Sequence, residues 1–179
     1  MTRRSAGLLL APGASGGVER LAPHVRGLQR RGVQARAIAL PRGRTDPALA
    51  VYRRLLAELG SERTMIGGHS FGGRVASLLA ADVEVAGLVL LSYPLHPPGR
   101  RERWEERTAH WLSIDCPVLL LSGESDPFAD IGLLRKAVER LSHGQLVTYA
   151  RVGHGLGPVL DDALDRVAEF VSRRTASTG

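Results

Sequence analysis

The sequence of 179 residues is short of cysteine, lysine and aromatic side chains. With Cys116 alone, no intrachain disulfide can form, which fits a reducing compartment. Cys116-Pro117 opens an apolar stretch, so the thiol reads as a small buried group rather than a nucleophile. No apolar run is long enough to span a bilayer, and the few apolar residues after Arg3-Arg4 are too few for the core of a secretion signal. A cytoplasmic protein without a membrane partner is the expectation. Aromatic residues make up 4% of the chain, which leaves little for stacking on bases. That weighs against a nucleic-acid partner despite the formal charge of +6. The positive excess is almost all arginine, Lys136 being the sole lysine, and GC-rich coding produces this bias without any anionic partner. The densest charged run, Arg100 to Arg107, interleaves both signs as a solvated helix face does. Dinucleotide and phosphate cradles lack their markers. Strand two ends in Leu40-Pro41-Arg42 with no acid for a ribose, and no GK[ST] follows a strand. His24, His69, His96, His110 and His143 show no metal-ligand spacing, so neither metal nor cofactor is expected.

What the chain does have is a regular alternation of apolar strands and amphipathic helices. Strand one is Leu8–Ala11, closed by the loop Pro12 to Gly17. A helix over Val18–Arg31 carries Leu21, Val25 and Leu28 on one face and stops at Gly32. Strand two is Val33–Leu40. Thr45 or Asp46 caps the next helix, whose stripe is Tyr52, Leu55, Leu56 and Leu59. The third strand runs into Gly68-His69-Ser70-Phe71-Gly72, and the helix behind it carries Val75, Leu78 and Leu79. Strand four is Val85–Leu91, and Ser92 to Ile114 reads as irregular and polar. Strand five is Pro117–Leu121, followed by a helix marked by Ile131, Leu134, Val138 and Leu141. Strand six is Gln145–Ala150, and Pro158 starts a final helix. This order predicts an α/β fold in three layers, a doubly wound and mostly parallel sheet covered on both faces. One domain over residues 1–174 with a disordered tail at 175–179 is expected.

The chemistry concentrates at strand ends. Gly68-x-Ser70-x-Gly72 stands between an apolar strand and an amphipathic helix, the setting in which a cramped corner lifts a serine hydroxyl above a sheet. The helix N-terminus behind it offers free N–H groups and a positive dipole end. A serine needs a base, and the base needs an orienting acid; both are expected later in the chain. After strand five, Ser122-Gly123-Glu124-Ser125-Asp126-Pro127 supplies Asp126. It could instead only cap a turn before Pro127. Glu124 and Asp130 are rivals, Asp130 being placed to cap the helix from Ile131. After strand six, Gly153-His154-Gly155 supplies the candidate base His154, with simple exposure as its alternative. Two N–H donors would hold a developing oxyanion: Phe71, the residue after the serine, and Ala14 in the Pro12 to Ser15 loop.

These motifs, in this order, resemble the α/β-hydrolase superfamily across nearly the whole chain. Ile66 to Ser77 and Leu91-Ser92-Tyr93-Pro94-Leu95-His96-Pro97-Pro98-Gly99 are similar to a small lidless branch related to dienelactone hydrolases. Bacterial hydrolases, a testis-expressed mammalian protein and a subunit of a chromatin acetyltransferase complex belong to that branch. The resemblance implies a six-stranded sheet in the order 2-1-3-4-5-6 without a cap domain. It also implies Ser70 as nucleophile, Asp126 as acid and His154 as base, acting on a small-molecule ester or thioester. Where the branch has His-Gly after the first strand, this chain has Pro12-Gly13. Some members serve as scaffolds, so a catalytically silent interaction module is the competing reading.

Overall fold

The computed structural model describes residues 7–177. Strand β1 is Gly7–Ala11, followed by a 3₁₀ turn Val18–Leu21 and helix α1 Ala22–Arg30. The continuous helix expected from Val18 is therefore broken. Pro23 sits in the first turn of α1, where a missing N–H is harmless, and it would clash one turn further into a helix begun at Val18. Strand β2 is Gln34–Ala37, shorter than expected, and α2 spans Thr45–Leu59. Arg44 stands at its N-cap with no side-chain hydrogen bond, so neither Thr45 nor Asp46 acts as the cap. The buried stripe of α2 is Ala48, Tyr52 and Leu56, while Leu59 is exposed. Strand β3 is Thr64–His69, α3 is Phe71–Ala80 and β4 is Gly87–Leu91.

The crossover after β4 is less irregular than its composition suggests. It holds helix α4, Trp104–Thr108, between two 3₁₀ turns, and buries Tyr93, Leu95, Trp111 and Ile114. Strand β5 is Val118–Gly123, α5 is Ile131–Val138, β6 is Gly144–Tyr149 and α6 is Leu160–Ser177. Helix α6 runs past residue 175, where a tail was expected to begin, and residues 178–179 lie outside the described ones.

All six strands are parallel, in the order β2-β1-β3-β4-β5-β6. Successive residues feed opposite layers. Leu9, Ile66, Leu88 and Leu90 pack with Tyr52 and Trp111 on one face. Leu8, Leu10, Met65 and Val89 pack with Leu164, Val167 and Phe170 of α6 on the other. Both faces being dry explains why the central strands are apolar throughout rather than alternating. Each fully buried Leu contributes roughly 1.5–3 kcal/mol. The chain winds outward from β1 to β2 and then reverses to β3. That reversal leaves a crevice at the C-terminal ends of β1 and β3, where the two connecting loops part. No helix among the described residues is long and apolar enough to cross a membrane.

The crossover is pinned to α3 by a polar contact with a pH signature. Ser77 is fully buried and its Oγ donates to the Arg74 carbonyl at 2.8 Å. It therefore accepts from His110 Nε2–H, also at 2.8 Å. Burial, reinforced by nearby Arg74, pushes His110 down to about 4. The unfolded chain protonates this ring near the ordinary value of about 6.5, so below that pH the unfolded state binds more protons. Stability from this group is therefore lost as pH falls from about 6.5 toward 4. His110→Gln retains a donor for Ser77 but does not titrate. Its melting temperature is expected to fall less steeply over that window than that of the parent. Parallel curves for the two proteins would remove His110 as the source. His24 and His69 are also lowered by burial, but they contribute equally to both.

Candidate active site

The corner after β3 is forced by backbone contacts. A Cβ on Gly68 would stand 2.4 Å from the Ala11 carbonyl oxygen, and one on Gly72 would stand 2.3 Å from the same atom. Neither position can carry a side chain while β1 keeps its place beside β3. Between them Ser70 is held at φ 51°, ψ −116°, a conformation costing a non-glycine residue of order 1–3 kcal/mol. Strain of that size persists only where surrounding packing dictates it. Here it turns the hydroxyl out of the sheet and away from α3.

His154 lies in the loop after β6, and its Nε2 is 2.8 Å from Ser70 Oγ. Its Nδ1 is 2.8 Å from Asp126 Oδ2. A carboxylate accepts, so Nδ1 carries the proton and Nε2 presents a lone pair to the serine hydroxyl. The Asp126 side chain is fully buried, whereas the imidazole is about a quarter exposed. Asp126 Oδ1 accepts the Phe128 N–H at 2.8 Å. Turn-capping and imidazole-facing roles thus coexist in one carboxylate, each using a different oxygen. The loops of acid and base are also in direct backbone contact. Ser125 N–H donates to the Val152 carbonyl at 2.9 Å, and a Cβ on Gly123 would fall 2.1 Å from that same oxygen.

The rival acids are engaged elsewhere. Glu124 accepts from Thr148 Oγ1 at 2.7 Å and faces Arg135 at 3.5 Å. Asp130 Oδ1 caps α5 through the Leu133 N–H at 3.0 Å, and Oδ2 pairs with Arg101 at 3.1 Å. Asp130→Ala is accordingly expected to lower stability by about 1 kcal/mol, read as a shift in denaturation midpoint, with turnover nearly unchanged. Cys116 is buried just before β5, at the opposite end of that strand from Asp126, and burial pushes its thiol up to about 12, which leaves it protonated.

The two residues expected to donate to an oxyanion belong to elements that border the serine, α3 and the loop after β1. Phe71 opens α3, where main-chain N–H groups have no intrahelical acceptor. Ala14 lies in the exposed turn after β1, closed by a bond from Gly16 N–H to the Gly13 carbonyl at 3.2 Å. That loop runs against the corner, a Cβ on Gly13 falling 3.5 Å from Ser70 Cβ.

Two residues near the site make contacts that the sequence reading did not anticipate. The Phe128 ring lies 4.5 Å from the His154 ring, tilted by 41°, and covers one side of it. His96, which has no metal-ligand spacing in the sequence, is 3% exposed and uses both ring nitrogens. Nδ1–H donates to the Pro97 carbonyl at 2.9 Å, and Nε2 accepts the Asp130 N–H at 2.9 Å. It fastens the loop after β4 to the loop bearing Asp126. The buried setting, an apolar Tyr93-Pro94-Leu95 run before it, was the available signal.

Solved structures with this arrangement of strands and helices are many. A monoacylglycerol lipase from Paleococcus ferrophilus superposes with a TM-score of 0.79 at 16% identity, over 93% of this chain and 94% of that one. An esterase from Pyrococcus furiosus gives 0.75 at 18% identity, over 96% and 84%. Est1E from Butyrivibrio proteoclasticus, solved with ferulic acid bound, gives 0.74 at 17% identity, over 96% and 90%. At such identities the likeness establishes the fold alone. The family model described as "Alpha/beta hydrolase domain" matches residues 35–171, from β2 to α6, and so takes in Ser70, Asp126 and His154. With that match spanning most of its length, the chain belongs to the alpha/beta hydrolase domain family.

Proposed function

We propose that this protein is a serine hydrolase that cleaves a small carboxylic ester or thioester through Ser70, His154 and Asp126. The observation carrying the reading is the continuous relay of two 2.8 Å contacts, Ser70 Oγ to His154 Nε2 and His154 Nδ1 to Asp126 Oδ2. His154 Nε2 takes the Ser70 proton as Oγ attacks the substrate carbonyl. The resulting oxyanion is held by the N–H groups of Phe71 and Ala14, each such donor contributing about 3 kcal/mol of barrier lowering. His154 then gives its proton to the departing alcohol or thiol, and the acyl group remains on Ser70. Water, deprotonated by the same nitrogen, releases the acid and restores the hydroxyl. Throughout, Asp126 keeps the productive tautomer and stabilises the imidazolium.

The short crossover between β4 and β5 supports an open site with modest discrimination between acyl chain lengths. The structural neighbours described as a lipase and an esterase support ester cleavage in particular. A place in the lidless branch related to dienelactone hydrolases, action in the cytoplasm and a free small-molecule substrate, with no cofactor and no nucleic-acid or membrane partner, complete the reading. The competing class, a silent interaction module of the same fold, draws on one feature, Pro12 where the branch carries histidine beside the oxyanion site.

A fluorophosphonate probe separates the two. The native protein is expected to be labelled at Ser70 and to turn over a panel of short p-nitrophenyl esters and matching thioesters. Absence of both labelling and turnover would leave the silent module.

A further inference from the structure

His69 precedes the serine, ends β3 and is half-buried. Its Nε2 lies 3.0 Å from the main-chain oxygen of His154, a residue 85 positions away. A carbonyl only accepts, so the His69 Nε2–H donates. The two imidazoles meet edge to face, centroids 5.2 Å apart at 61°. On its opposite edge, Nδ1 is 3.2 Å from where a Cβ on Gly13 would stand. One ring therefore spans from the loop after β1 to the loop after β6, beneath the nucleophile.

The loop it reaches is anchored on either side of the base, by the Ser125 N–H to Val152 carbonyl bond and by buried Val152 and Leu156, which leaves His154 between two glycines. A Cβ placed on Gly153, Gly155 or Gly157 would meet nothing within 4 Å, so no side-chain packing at these positions restrains the backbone around His154. Yet proton transfer needs the imidazole within hydrogen-bond reach of Ser70. From these contacts we infer that His69 is a positioning residue: its Nε2–H holds the His154 main chain, and thereby keeps the base imidazole aligned on Ser70. The inference rests on the hydrolase reading of Ser70 and His154. The role requires no titration of His69. Burial lowers this ring from the ordinary imidazole range; the bond to the His154 carbonyl and the charge of Asp126 oppose that, repulsion from His154 and Arg20 adds to it, and His24 is the other histidine that faces it. A neutral ring with its proton on Nε2 already makes this bond.

The test compares His69→Gln, whose side-chain amide N–H reaches as far as Nε2, with His69→Leu, which fills similar space without a donor. Two readouts are used. The first is kcat and KM on p-nitrophenyl acetate, with the fluorophosphonate labelling rate. The second is the downfield proton resonance of His154 Nδ1–H against Asp126, identified by its loss in His154→Ala. His69→Leu is expected to lower kcat and labelling by about 10- to 100-fold with KM nearly unchanged, since misplacement of a reacting group by about 1 Å costs that much. Its resonance should broaden or vanish. His69→Gln should recover most of kcat and the resonance. If His69→Leu does not fold, His69→Asn, polar but a bond too short, takes its place with the same expectation. Equal losses in the donor and donor-free variants, or an unaltered resonance and kcat in the latter, would overturn the inference. If the parent neither labels nor turns over, the hydrolase reading fails, and the resonance alone still decides whether His69 positions the ring.

Discussion

Replacing Ser70 by alanine is expected to abolish fluorophosphonate labelling and to lower kcat by on the order of 10⁶-fold, the scale seen when a relay loses its nucleophile. No other hydroxyl stands within reach of His154 Nε2 in the described contacts. Fold stability should barely change. Alanine occupies φ 51° with the same strain as serine, and the lost hydroxyl is bonded only to a partly exposed ring. Ser70→Gly separates strain from chemistry. Glycine adopts positive φ freely, which relieves about 1–3 kcal/mol, against roughly 0.5–1 kcal/mol of added chain entropy in the unfolded state. The glycine variant should therefore melt at a higher temperature than the parent while being equally dead. Undiminished labelling of either variant would move the nucleophile elsewhere.

Asp126→Asn should cost about 10⁴-fold in kcat, with little change in melting temperature. The geometry says why. Asparagine can keep an oxygen for the Phe128 N–H, so the turn survives. It then turns its amide N–H₂ toward His154 Nδ1, where the carboxylate oxygen stood at 2.8 Å. Two donors cannot face each other, so the ring proton moves to Nε2, and the nitrogen next to Ser70 becomes a donor that cannot accept the serine proton. The ring stays in place in the wrong tautomer. Loss of the ring altogether, in His154→Ala, should match the loss in Ser70→Ala, because nucleophile and base act as one unit. A kinetic loss that followed Asp130→Ala rather than Asp126→Asn would reassign the acid.

The sheet and the corner were legible because their determinants are local. Apolar strands buried on both faces read as continuous runs, and the Gly68-x-Ser70-x-Gly72 spacing encodes a collision with the Ala11 carbonyl that leaves glycine as the one solution. Asp126 and His154 could be placed because each follows a strand whose end faces the corner. The crossover was misread for a different reason. Trp104, Thr108 and Trp111 recur at helical spacing, but the surrounding arginines and glutamates mask the stripe, and only packing against α3 reveals it. His69, His96 and Phe128 act across gaps of tens of residues, between loops whose proximity exists only once the sheet has formed. No local pattern carries that information.

The sheet also sets a timetable. Ser70 follows the third strand, while its base follows the sixth, 84 residues later. At a synthesis rate of about 5–20 residues per second, the strained corner leaves the ribosome roughly 4–17 s before the imidazole that activates it. During that interval the hydroxyl has no base to activate it on the hydrolase reading. The proposed base reaches it only when β6 pairs with β5 and the Val152 carbonyl closes over Gly123. On the hydrolase reading, capture by a serine-directed probe is therefore expected to report the docking of the last strand.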